Sequence, residues 1–161
     1  MSTMPEGAVV LSIRDHGPTH ALDFDLRDIL AALGERALAW QWCVLYDFEA
    51  YGPGERLAAM ADAIWRAKPG GIWLTAPELA RLAQDIDQTI DGEFQAFPSG
   101  LEVSTIPVDE LHVPFLQSRA ELVIRAVDST LFRVYAKHRD DVARLQARFS
   151  DVQVEVLSRP G

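Results

Sequence analysis

Thiol chemistry is nearly absent from this chain: 161 residues include one cysteine, Cys43. A lone thiol forms no intramolecular disulfide and no cysteine-cluster zinc site, and it suits a reducing compartment. Long apolar runs are also lacking. No stretch reaches the roughly 18 apolar residues of a membrane span. The opening residues "MSTMPEGAVVLSIRDHG" carry neither the basic nor the apolar segment of a secretion signal. A soluble, cytoplasmic protein without a membrane partner is therefore expected.

Positive charge is scarce as well. The chain has 15 Lys and Arg against 24 Asp and Glu, a formal net charge of −9. The deficit sits in residues 1–100, with 7 basic and 15 acidic side chains, whereas residues 101–161 hold 8 and 9. An acidic surface repels phosphate backbones, so nucleic acid is not expected as a partner and a basic protein is.

Catalytic signatures are missing too. Neither G-x-S-x-G nor H-E-x-x-H occurs. In "YGPGERL" a dinucleotide fingerprint would need Gly or Ala where Leu57 stands, and Glu55 occupies the helix N-terminus that a phosphate would require. No histidine lies within twenty residues of Cys43 to activate it, so an inert core thiol is expected. No cofactor and no bound metal are anticipated.

What remains is the composition of a globular chain, with 48% hydrophobic and 24% charged residues. Residues 1–161 have the length of one α+β domain, whose core forms without a metal or disulfide. "VVLSIRD-HGPT-HALDFDL" predicts two short strands around a Gly-Pro turn. Asp25 is placed to cap a helix whose Leu26, Ile29, Leu30 and Leu33 recur at helical spacing, with Gly34 as its stop. From Leu38 to Phe48, large side chains at Leu38, Trp40, Trp42, Val44, Tyr46 and Phe48 alternate without a break, which predicts one core strand.

Leu57, Met60, Ala61, Ile64 and Trp65 form a second helical stripe, ended by "KPGG". "TAPE" combines an N-cap Thr75, a first-turn Pro77 and Glu78 three residues on, opening a helix read through Leu79, Leu82, Ala83, Ile86 and Ile90. "GEFQAF" is a candidate strand, and residues 98–119 a long, ordered, proline-rich connection of the kind often tied to function. A hairpin over "AELVIRA-VDST-LFRVYAK", a helix through Val142, Leu145 and Phe149, and a last strand "VQVEVL" complete the order. Hairpins mixed with helices argue for an α+β fold, a mainly antiparallel sheet with about four helices packed on it.

Two groups of polar residues invite function. Acidic side chains cluster at Asp47 and Glu49, beside Tyr51, and again in "DIDQTIDGE" at Asp85, Asp87, Asp91 and Glu93. A calcium loop counted from Asp87 puts Thr89 third and Pro98 twelfth, where oxygen ligands belong, so the spacing favours a solvated helix end. Taken as one rim, these acids would steer a basic partner, with Tyr51 or Phe94 as a buried anchor. The second group is His16, His20, Asp23 and Asp25, which could approach one another across the first turn and hold a metal. The expectation is a small bacterial-type binding protein of the immunity, antitoxin or regulatory-adaptor kind. The alternatives are a small metal-dependent enzyme using the His/Asp group, and a structural protein with no dedicated acidic site.

Overall fold

The computed structural model describes residues 7–18 and 21–157. Its strands are β1 (Val9–Ile13), β2 (Trp40–Leu45), β3 (Glu49–Tyr51), β4 (Gly71–Leu74), β5 (Gln88–Pro98), β6 (Leu122–Val127), β7 (Leu131–Ala136) and β8 (Val152–Val156). They form one antiparallel sheet in the order β4-β2-β5-β6-β7-β1-β8, with β3 also paired to β5. The helices are α1 (Leu26–Leu33), the single-turn α2 (Glu35–Leu38), α3 (Glu55–Arg66), α4 (Ala76–Gln84) and α5 (Arg139–Arg148). The fold is α+β, with four helices of at least two turns against a wholly antiparallel sheet. None of the described helices is long and apolar enough to cross a membrane.

The sheet has two differently covered faces. On the inner face, Leu11, Ile13, Trp42, Val44, Phe94, Ile124, Phe132 and Val134 meet Leu26, Ile29, Leu33, Ile64, Leu79 and Leu145 from the helices in one continuous core. Strand periodicity then turns alternate residues outward. There Cys43, Leu45, Phe97 and Val123 pack against Ile106, Leu111 and Ala120 in a second, smaller core. Its cover is the 98–119 connection, which consists of short 3-10 turns at Val103–Thr105, Val108–His112 and Phe115–Gln117.

Tertiary bonds hold this arm, because its sequence has no period of its own. Gln95 Nε2 donates to the Leu111 carbonyl at 2.9 Å. Arg119 grips the Glu110 carboxylate through Nε and Nη2, which holds that carboxyl below the usual carboxylate range. The connection expected from sequence is therefore a lid on the outer sheet face.

Several elements form as their residues dictate. Asp25 caps α1 in a capping box with Asp28, and Gly34 ends it at φ 60°. Thr75 and Glu78 close the reciprocal box on α4, whose first turn contains Pro77. The β6–β7 hairpin turns over the three residues Asp128 to Thr130, the first two of them at positive φ.

Four expectations need correction. The first hairpin does not form: β1 is flanked by β7 and β8, so both its edges are taken, and only a single bridge joins His16 to Leu22. The strand read from Leu38 to Phe48 is shorter: Leu38 ends α2 and is 66% exposed, β2 covers only Trp40 to Leu45, and the turn after it swings Tyr46 toward Trp65 and His112 before β3 begins at Glu49. Trp65 itself is 57% exposed, stacked under the Lys68 ammonium at 5.1 Å, and not in the core.

The fourth correction bears on the acidic cluster. Helix α4 stops at Gln84, and Thr89 and Ile90 belong to β5. The Leu82–Ile86–Ile90 spacing mimics a helix, but the β-branched pair Thr89–Ile90 enters the sheet once Ala50 pairs opposite Thr89 and the buried Asp25 carboxylate accepts the Thr89 N–H and hydroxyl. Long-range pairing outweighs local periodicity here.

Candidate binding site

The two acidic segments, forty residues apart in sequence, lie side by side. Strand β3 pairs with the start of β5 so that Glu49 stands opposite Asp91, and Tyr51 opposite Gln88. Below the pair the Asp87 N–H donates to the Tyr51 carbonyl at 2.7 Å. Gly52 makes this approach possible: a β-carbon there would fall 2.0 Å from the Asp85 carbonyl oxygen. Any other residue would push the β3–α3 connection away from the α4–β5 turn.

The structure sorts the seven expected residues into two groups. Glu49, Tyr51, Asp85, Asp87 and Asp91 share the β3–β5 edge. Of these, Asp85 is held by Arg56 in a two-pronged pair at 2.6 and 2.7 Å, which keeps its carboxyl below the usual value. Asp91 accepts the Asp128 N–H at the tip of the β6–β7 turn, so its role is partly structural. Glu49 and Asp87 are exposed and have no ion-pair partner among the described residues. Tyr51 beside them is 61% exposed.

Asp47 and Glu93 form the second group. Arg125 on β6 joins them, at 2.9 Å from Glu93 Oε1 and 3.9 Å from Asp47 Oδ2. Phe94, the other candidate anchor, is fully buried on the inner face against Phe48 and reaches no partner.

Of the His/Asp group, the structure describes His16, Asp23 and Asp25. Asp25 is buried and its carboxylate accepts the Leu26 N–H, the Thr89 N–H and the Thr89 hydroxyl, so it serves the fold. His16 is exposed with Nδ1 3.2 Å from the Gly17 carbonyl oxygen, and Asp23 is exposed. His20 lies outside the described residues. Among the described residues no three His, Cys, Asp or Glu side chains stand together as a metal site.

Cys43 is fully buried on the outer face, and desolvation together with the nearby Glu93 charge pushes its thiol up to about 12. Native protein at neutral pH is expected to resist a thiol reagent until it is denatured, since only the thiolate reacts. Rapid labelling of the native form, followed by mass, would contradict this.

Sequence reasoning missed two residues here. Arg125 joins Asp47 to Glu93, and Gln95 is a polar side chain only 4% exposed between the aromatic residues of β5. The signal was visible in "EFQAF": a glutamine inside an apolar strand needs buried partners. No protein-family model, curated protein or solved structure matches this chain, so a functional reading rests on the geometry above.

Proposed function

We propose that this chain is a small cytoplasmic binding protein of the immunity, antitoxin or regulatory-adaptor kind, which engages a basic protein partner through the β3–β5 edge. The observation that supports this reading is the placement of two unpaired carboxylates, Glu49 and Asp87, around the exposed ring of Tyr51. Uncompensated charge steers an oppositely charged partner during approach, and an exposed aromatic ring supplies area that can be buried on contact. The net charge of −9 adds a long-range attraction of the same sign. Asp85, Asp91, Asp47 and Glu93 contribute to the field, although Arg56, the Asp128 N–H and Arg125 already engage them.

The paired reversal Glu49→Lys with Asp87→Lys is the appropriate test, because neither side chain supports the fold. Association with a basic partner isolated from the source cells should slow by on the order of tenfold and lose most of its salt dependence. The melting temperature should stay within about a degree or two of the parent's, as expected for exposed positions. Stopped-flow rates unchanged by the reversal at low salt would remove the edge from the reading. Reversing Asp85 or Asp47 would be less informative, since each breaks an ion pair within the chain.

A further inference from the structure

Of the two ends of the sheet, β8 is the more open. It pairs with β1, and no other described element runs along its far side. Strand β4, at the opposite end, is four residues long and has α3 and α4 packed against it. The bonding pattern shows which groups of β8 face outward. The Leu157 N–H donates to the Ala8 carbonyl and the Arg14 N–H to the Asp151 carbonyl, both at 2.9 Å. Directly opposed residues of an antiparallel pair alternate between bonded and non-bonded. Between those two bonds, Gln153 and Glu155 therefore bond to Ser12 and Val10. The N–H and C=O groups of Val152, Val154 and Val156 point to the open side, where no described strand meets them.

Open edges are usually blunted by proline, lysine, a bulge or a covering segment. The strand "VQVEV" has neither proline nor lysine, and its register against β1 runs without a shift. Its side chains suit a copy of itself. Val152 and Val154 are half-buried on the helix-covered face, and Val156 on the same face is 58% exposed. Gln153 and Glu155 are exposed on the outer face. An antiparallel copy placed about a two-fold axis at Val154 sets Val156 beside Val152 of the second copy, which covers the exposed valine. It also sets Gln153 opposite Glu155, at a non-bonded position where side chains come closest and the amide can donate to the carboxylate. Each opposed pair of valines exchanges both N–H···O bonds. Centring the axis on Glu155 would face two like charges, and centring it on Gln153 would leave Val156 beyond the end of the other strand.

We propose that β8 is a self-association edge, along which a second copy of this chain adds its own β8 antiparallel about a two-fold axis at Val154. Such a contact occupies both open strands at once, so the assembly closes as a dimer. Strands β6, β7 and β1 separate β8 from β5, whose edge with β3 is the surface proposed above for a basic partner, so neither reading depends on the other.

Sedimentation equilibrium of the full-length protein, from micromolar to near-millimolar concentration, should show a reversible monomer–dimer equilibrium and no larger species. Each copy carries a net charge of −9, so added salt should strengthen the dimer, opposite to its effect on a basic partner. Amide exchange at Val152, Val154 and Val156 should slow as protein concentration rises, whereas Gln153 and Glu155, already bonded to β1, should not change. Gln153→Glu faces Glu155 in both halves of the interface and should weaken the dimer by roughly tenfold, and Gln153→Lys should tighten it by a similar factor. Opposite effects from one exposed position single out this register. Val154→Pro removes an N–H that β1 does not use and should leave a folded monomer. If that variant folds poorly, the two Gln153 substitutions carry the test. A monomer at every concentration would overturn the proposal and leave the edge to a strand of another protein. A dimer indifferent to all three substitutions would overturn it as well, as would an open-ended polymer, the product of β8 pairing with β4 of the next copy.

Discussion

Trp42→Ala is expected to destabilise the protein by about 3–5 kcal/mol, the largest loss from any single side chain discussed here. Trp42 is fully buried at the centre of β2, stacked edge-on to Trp40 with ring centres 5.8 Å apart. Its indole N–H donates to the Ala37 carbonyl at 3.3 Å, tying the strand to α2. Truncation opens a void between β2 and the helices that close-packed neighbours fill only in part. Trp65→Ala provides the contrast. That ring is 57% exposed and its main partner is the Lys68 ammonium. Its loss should cost under about 1 kcal/mol. Urea unfolding of both variants measures the difference directly. Equal losses would mean that the two faces of this region have been assigned wrongly.

The second large effect is expected at Asp25. Its carboxylate caps α1 and also accepts the Thr89 N–H at 2.9 Å and the Thr89 hydroxyl at 2.6 Å, in a side chain left only 6% exposed. Removing a cap costs about 1 kcal/mol, and leaving a buried donor unpaired costs roughly 1–3 kcal/mol more. Asp25→Ala should therefore lose about 2–4 kcal/mol in total. The effect reaches the candidate site, because Thr89 pairs with Ala50 and so sets the register of β3 against β5. Hydrogen exchange at Thr89 and at the amides of Glu49 to Tyr51 should accelerate in the variant. Combining Asp25→Ala with Thr89→Val removes the orphaned hydroxyl, and the double variant should lose less than the two single losses added together. Additive losses would show that the tether carries no energy of its own.

These two residues also mark what was legible in the chain. Asp25 before an apolar stripe, Thr75 ahead of Pro77 and Glu78, and the "VDST" turn between two strands are local signals, and each element formed where its own residues called for it. The missed features are all long-range. Nothing near Ile90 reveals that β3 will pair with its neighbours Thr89 and Asp91, so its spacing from Leu82 and Ile86 reads as helix until Asp25 and Ala50 claim Thr89. The alternation from Leu38 to Phe48 is real, but it does not show the turn that diverts Tyr46. The arm over the outer face has no period because its 3-10 turns are held by Gln95 and Lys137 from elsewhere in the fold and by the Arg119–Glu110 pair within the arm.

The candidate site was legible in part for the same reason. Composition marked the acidic segments. Only the sheet register places Glu49 opposite Asp91, and only the fold shows that Arg125 draws Asp47 and Glu93 away into a different environment. The distinction changes which substitutions are informative, because a carboxylate already paired within the chain has less charge to offer a partner.

The claim that the β3–β5 edge receives a basic partner is tested most directly by locating where a basic probe lands. Isotope-labelled protein is titrated with a short peptide rich in arginine and lysine, and amide shifts are followed at low salt and at physiological ionic strength, where the Debye length is about 8 Å. Shifts should concentrate at Glu49 to Tyr51 and Asp85 to Asp91, weaken as salt rises, and vanish when Glu49 and Asp87 are both lysine. Shifts scattered over the acidic surface, or a pattern that survives the double reversal, would contradict a dedicated recognition edge and reduce the acidity of this chain to a contribution to solubility.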